Sequence, residues 1–204
     1  RNLSDVAAMG GFPDASLLNL YTSGRLSLTW LDRFIAGLGR FACEHGMRVN
    51  GGDVTQAPDD VFFASLTILG HAPRPVTRTG ARPGDEIWVT GSLGGSLLAR
   101  HATFEPRLAE GRWLAERPDT VSLIDLSDGL AKDLPALLPP DGRARVDLAA
   151  LLVSDDARRL AESSGRSAVW HAFHDGEDYE LLFARRPGGL AGDFESDWHR
   201  NFGT

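Results

Sequence analysis

Asp125 and Asp128 stand on either side of Leu126-Ser127, at the point where the apolar run from Leu123 breaks into Gly129 and a helical pattern of leucines. The run reads as a buried strand and the leucine pattern after it as a helix, so both carboxylates fall at a strand-to-helix junction. Such a junction exposes backbone N–H groups and the positive end of a helix, which suit an anion, while two carboxylates suit a hard cation. Phosphate with magnesium is the simplest ligand that meets both demands. Helix capping by Ser127 or Asp128 accounts for the same residues.

Three other stretches offer comparable chemistry. In Asn50-Gly51-Gly52-Asp53-Val54-Thr55 the glycines let the backbone turn tightly or approach a ligand, and Asp53 and Thr55 supply oxygens, although Gly-Gly-Asp also serves as plain turn chemistry. Gly91-Ser92-Leu93-Gly94-Gly95-Ser96 comes after a strand pattern and forms a second Gly-rich junction, without the Gly-Lys-Ser/Thr ending of a Walker A loop. His174-Asp175-Gly176-Glu177-Asp178-Tyr179-Glu180 sets acids directly before the apolar Leu181-Leu182-Phe183, as either a solvated loop or a site for a cationic group. Asp5 lies near the start of a short helical pattern, where an exposed acid needs no explanation beyond the helix dipole.

The elements that must position these groups can be read from periodicity. Leu3, Val6 and Ala7 repeat as a helix stopped by Gly10-Gly11 and Pro13. Thr29 to Gly46 carries the stripe Leu31, Phe34, Ile35, Leu38, Phe41 and Ala42, which predicts a core helix with Cys43 in or near the core. Met47-Arg48-Val49, Val61 to Leu69, Glu86 to Thr90, and Val146-Asp147-Leu148 read as strands. Arg107 to Glu116 and Ser154 to Ser163 read as helices, the latter capped by Ser154. Pro73 and Pro75 mark a connector, placing a domain boundary at about residue 75. Pro187 to Gly192 is mildly Gly-rich.

Composition narrows the function classes. The 204 residues suffice for one large or two small cores, and 42% hydrophobic with 24% charged residues is ordinary for a globular protein. A net charge of -7 with a single lysine, Lys132, argues against a broad nucleic-acid surface. The single cysteine excludes an internal disulfide, and no stretch approaches a membrane span or a signal peptide, so the expected compartment is the reducing cytoplasm.

Six stretches, in this order, resemble the thiamine-monophosphate kinase family, within the superfamily of aminoimidazole ribonucleotide synthetase and selenophosphate synthetase. They are Asn2 to Gly11, Gly51 to Thr55, Arg78 with Gly80 to Asp85, Val89 to Gly94, Asp125 to Leu130, and Gly176 to Phe183. The resemblance implies an α/β (α+β) architecture in two parts: residues 1–75, an amino-terminal synthetase-like domain whose start is missing and which pairs across a homodimer, and residues 76–204, a carboxy-terminal α/β domain. It also implies Mg2+ on Asp5, Asp53, Asp125 and Asp128, ATP contacts from Gly52, Asp53, Arg78 and Ser127, and a contact between Glu177 and thiamine monophosphate. Two departures stand out. Gly95 replaces an aspartate frequent after the Leu-Gly pair, and His174-Asp175 precede Gly-Glu-Asp where a second glycine is usual.

The reaction so implied is transfer of the ATP γ-phosphoryl group to thiamine monophosphate, giving thiamine diphosphate. A phosphate monoester has a second pKa of about 6, so its oxygen is already a nucleophile at neutral pH. The demand is instead to bring two polyanions together with their reacting oxygens in line. Clustered aspartates without a catalytic Lys, Cys or Ser–His pair fit that demand, so no general base and no phospho-enzyme is expected. The alternatives are another ATP-using member such as aminoimidazole ribonucleotide synthetase, or a non-catalytic dimerising module of the same fold.

Overall fold

A computed structural model describes residues 1–59, 61–188 and 193–203, and the chain divides into two compact units. One comprises residues 3–11 and 72–204 with Arg1; the other is residues 12–71 with Asn2. The chain therefore leaves the first unit after the helix α1 (Asn2–Ala7) and returns to it 60 residues later.

The inserted unit is a three-stranded sheet with one helix, built from β1 (Phe12–Thr22), α2 (Leu28–Glu44), β2 (Arg48–Gln56) and β3 (Phe62–His71). The strand order is β2-β1-β3, with β1 parallel to β2 and antiparallel to β3. A parallel pair requires a long crossover, and α2 supplies it. Trp30 and Phe34 of α2 stack on each other at 5.5 Å and meet Phe62 edge-on at 4.9 and 5.6 Å. The predicted apolar stripe is present, yet Ala42 is the only buried residue of α2 and Cys43 is exposed, which corrects both the core helix and the core cysteine. A single helix over three strands has too little sheet beneath it to enclose its whole stripe.

Two strand boundaries also differ from expectation. The sequence pattern predicts no element over β1, whose apolar alternation is interrupted early by Pro13 and Asp14. Gly51-Gly52-Asp53 lies inside β2 rather than in a turn after it. Gly51 and Gly52 adopt φ of 152° and 153°, and a Cβ on Gly52 would collide with the carbonyl of Leu18 across the ladder. Gly52 admits a close strand approach that a side chain would forbid.

The larger unit holds β4 (Glu86–Val89), α3 (Leu108–Glu116), β5 (Thr120–Asp125), α4 (Leu130–Leu137), α5 (Asp155–Ser164), α6 (Ala168–His174), β6 (Leu181–Arg185) and α7 (Phe194–Phe202). β6 is buried along its length and pairs antiparallel with β4 on one side and β5 on the other. Leu182 and Ala184 face a core with Leu126, Leu130, Leu134, Leu137 and Ala172, while Phe183 faces Phe194 and Trp198 of α7. Each fully buried Leu or Phe contributes about 1.5–3 kcal/mol relative to exposure, so both faces of β6 hold the unit together. Ser154 caps α5 as expected, accepting from Ala157 N at 3.0 Å, and Ser167 caps α6 in the same way.

Val146-Asp147-Leu148 forms no strand. Asp147 accepts from Ala149 N at 2.9 Å and turns the chain there. Helices α6 and α7 have no counterpart among the expected elements, and the end of the Pro187 to Gly192 stretch lies outside the described residues. Among the described residues no helix is long and apolar enough to cross a membrane.

Candidate functional site

The junction after β5 is held from three directions. Its last residue, Asp125, is 8% exposed and accepts a 2.7 Å hydrogen bond from the buried Ser4 hydroxyl of α1. α1 reaches this position because its close partner is α3. A Cβ at Gly111 would strike the carbonyl of Ala7, and one at Gly10, which has φ 65°, would strike Ala115. Burial pushes the Asp125 carboxyl above the ordinary range, the Ser4 hydrogen bond opposes this, and the charge of nearby Asp5 adds to it. Asp5 itself is exposed.

Beyond Asp125 the chain continues as an extended segment paired with the residues before β6. Leu126 N donates to Glu180 O, Tyr179 N to Leu126 O, and Glu177 N to Ser127 O, each at 2.8 Å. Gly176 (φ 69°) makes this approach possible, since a Cβ there would lie 2.9 Å from Ser127 O. Glu177 and Tyr179 hold φ of 57° and 52°, a left-handed conformation that costs a non-glycine residue of order 1 kcal/mol or more. The Asp125–Asp128 and Gly176–Glu177 stretches, far apart in sequence, are thus one local structure.

Neither Ser127 nor Asp128 caps α4. The N-cap is Gly129, and no side chain bonds there. Asp133, one turn inside the helix, instead reaches back to accept from Asp128 N at 2.9 Å. Burial raises the Asp133 pKa, against the hydrogen bond from Asp128 N, which lowers it. The Asp128 carboxylate is exposed and pairs with Lys132 at 2.7 Å. Arg78 is exposed, its carbonyl fixed to β5 by Ser122 Oγ at 2.7 Å.

The Gly91–Ser96 loop does not offer its amides to a ligand. Gly94 N donates to the Asp178 carboxylate at 3.0 Å and Gly95 N to Asp175 Oδ2 at 2.8 Å. Asp178 is 2% exposed and also accepts from Ser96 Oγ at 2.5 Å and from Arg100 at 2.6 Å. Asp175 further accepts from His171 Nδ1 at 2.8 Å. The second junction is therefore a clamp, which removes it as support for a phosphate site. The same packing explains a departure: a Cβ on Gly95 (φ 73°) would collide with the backbone at Asp156-Ala157.

Asp53 and Gly52 belong to the inserted unit. Asp53 pairs across β1 with Asn19, on the sheet face opposite α2, and its Oδ1 accepts from Val54 N at 2.9 Å. Within the larger unit the structure brings together Asp5 with Asp125, and Ser127 and Asp128 with Glu177. Among the described residues no three His, Cys, Asp or Glu side chains converge closely enough to hold a metal ion by themselves. The donors are nonetheless hard oxygens, and the charge of Asp5 adds to the burial that disfavours an ionised Asp125, so their chemistry fits Mg2+. Sequence reasoning missed Ser4, Asp133 and the Asp175/Asp178 clamp. The signal for Asp133 was its place in the first turn of α4, where an acid can reach back to a free amide.

Comparison with known proteins matches residues 1–72 to the family described as AIR synthase related protein, N-terminal domain. The thiamine-monophosphate kinase of Rhodopirellula baltica is 38% identical over 97% of this chain and 62% of its own length. The chain thus spans about three-fifths of that curated relative. The crystal structure of thiamine monophosphate kinase from Aquifex aeolicus superposes with a TM-score of 0.81 at 27% identity, covering 95% of this chain and 72% of that one. A structure of AaThiL complexed with AMPPCP and TMP superposes with a TM-score of 0.78 at 28% identity, covering 91% and 65%.

Proposed function

We infer that this chain is a thiamine-monophosphate kinase, like the relatives it resembles, and transfers the γ-phosphoryl group of ATP to thiamine monophosphate, forming thiamine diphosphate. The observation that carries the reading is the pairing of Ser127 with Glu177, which sets the acidic junction beside the residue the family resemblance assigns to the substrate. A relative of matching fold complexed with AMPPCP and TMP supports both substrates.

In this reading Asp5, Asp53, Asp125 and Asp128 hold Mg2+, which would neutralise phosphoryl oxygens as the two polyanions meet. Gly52, Arg78 and Ser127 meet the nucleotide, and Glu177 the substrate. The chain's own contribution is positional. Ser4 fixes the Asp125 carboxylate, and Asp133 fixes the backbone of Asp128 while leaving that carboxylate outward. The Asp128–Lys132 pair is exposed and solvent-screened, so an incoming cation displaces Lys132 readily. The acceptor phosphate needs no base, and none is assigned.

Residues 1–75 and 76–204 act as the two halves of the catalytic body, in the cytoplasm. The helix-free face of the β2-β1-β3 sheet leaves Leu17, Tyr21, Phe63 and Leu69 between 41% and 56% exposed beside Asp53, which supports pairing with a second copy as a homodimer.

The test is conversion of thiamine monophosphate by ATP with and without Mg2+, in wild type and Asp128→Asn. Turnover is expected only in wild type with Mg2+. Unchanged turnover in the variant removes the metal assignment. A correctly folded, dimeric wild type without turnover favours the non-catalytic module, and a product from an aminoimidazole ribonucleotide precursor favours the neighbouring synthetase.

A further inference from the structure

Away from the acidic junction, α5 and α6 bring a hydroxyl, an imidazole and a carboxylate into line. His171 on α6 and Asp175 at its C-cap stand one helical turn apart, and His171 Nδ1 lies 2.8 and 3.0 Å from the two Asp175 oxygens. An ionised carboxylate only accepts, so Nδ1 carries the proton of the neutral ring and Nε2 presents a lone pair. Ser164, the last residue of α5, donates its hydroxyl to that lone pair at 2.7 Å. The ring is buried, and Gly95 N fixes the Asp175 carboxylate from the other side at 2.8 Å, so neither group is free to turn. Ser164 itself is exposed, and a Cβ on the adjoining Gly165 would meet nothing within 4 Å, which leaves the approach open. Arg166 N donates to Ser164 Oγ at 3.2 Å, a bond that favours negative charge on that oxygen.

We propose that Ser164 is an activated nucleophile, with His171 as its general base and Asp175 as the positioning residue, and that it hydrolyses small activated esters. Ser164 Oγ attacks the ester carbonyl carbon as its proton passes to His171 Nε2. The bond from that carbon to the leaving oxygen breaks, and the imidazolium returns the proton to the departing alcohol, leaving O-acyl Ser164. Water, deprotonated by the same nitrogen, then cleaves the acyl group as a carboxylic acid and restores the hydroxyl. A tie between the two helices needs only the bond from Ser164 to His171. The carboxylate behind the ring adds what proton transfer needs, a fixed tautomer and a counter-charge for the imidazolium.

The test treats the protein with diisopropyl fluorophosphate, maps the stable serine adduct by fragment-ion mass spectrometry, and follows p-nitrophenolate release from p-nitrophenyl acetate. Ser163, whose hydroxyl turns back to Leu160 O, is the internal control. Ser164 is expected to label at least about 100-fold faster than Ser163, the lower end of what a positioned general base contributes. Asp175→Asn reverses the tautomer of His171 and is expected to slow labelling by about 100-fold or more. Ser164→Ala is expected to abolish the catalysed release of p-nitrophenolate. A merely structural cluster would lower Tm in these variants without altering the preference of the reagent for Ser164. Equal labelling of the two serines, labelling of Asp175→Asn at the wild-type rate, or release unchanged in Ser164→Ala overturns the proposal. If Asp175→Asn fails to fold, the ratio of the two serines in wild type decides alone.

Discussion

Ser4 is one of the small groups in the site and bears on a buried acid, Asp125. Its hydroxyl is the only side-chain hydrogen bond to Asp125 among the described residues. Ser4→Ala should therefore destabilise the protein by about 1–3 kcal/mol, the cost of leaving a buried polar group unsatisfied, as read from the urea midpoint. Neither this bond nor the pairing of Ser127 with Glu177 could be read from spacing, because each joins residues about 50 to 120 positions apart. What could be read was residue type: acids after an apolar strand, and acids before one. Tyr179 gives a second check. Burial, and the hydrogen bond to Glu177, push its phenol up to about 12. The unfolded chain ionises near 10, so stability is unaffected below pH 10 and falls as pH rises from 10 towards 12. In a Tyr21→Phe variant, absorbance titration should show a single phenol ionising near 12, and a transition near 10 would refute the buried, donating hydroxyl.

Between elements, contacts are decided by glycines and clamps. The helical pattern of α1 and that of α3 were both legible, but their contact was not, because an absent side chain leaves no periodic signal. Gly111→Ala should cost about 1–3 kcal/mol by overpacking Ala7, lowering Tm, and by displacing α1 it should perturb the Ser4–Asp125 bond as well. The Gly91–Ser96 loop shows the opposite limit. Its composition suggested a cradle for phosphate, yet the carboxylates that occupy its amides lie some 80 residues later. Asp178→Ala would leave Arg100 half-buried beside a loop that has lost its acceptor, a loss of about 3 kcal/mol. Hydrogen exchange at Gly94 should accelerate in that variant while the core of β6 stays protected.

At the scale of the molecule, exposed apolar area distinguishes the two units. The inserted unit presents Leu17, Tyr21, Phe63 and Leu69 on a sheet face with no helix over it, and α2 keeps only Ala42 fully buried. Sedimentation should show concentration-dependent dimers, and Phe63→Asp, with a charge at a 56% exposed site, should shift them to monomers without unfolding the larger unit. The sequence's single apolar stripe could show that α2 packs on something, but not how little of it a three-stranded sheet can cover.

The insertion also carries a kinetic consequence. Phe12 and His71, at its two ends, are register partners, and their rings stack at 5.2 Å. Once this sheet has closed, α1 and the chain from Ala72 onward start from neighbouring points instead of being separated by a 60-residue tether. Closing such a tether costs about 3–4 kcal/mol of chain entropy. Early formation of the β1–β3 ladder would bear that cost for the larger unit, so mutations that loosen Phe12 against His71 should slow the docking of Ser4 onto Asp125 in refolding while leaving its unfolding rate nearly unchanged.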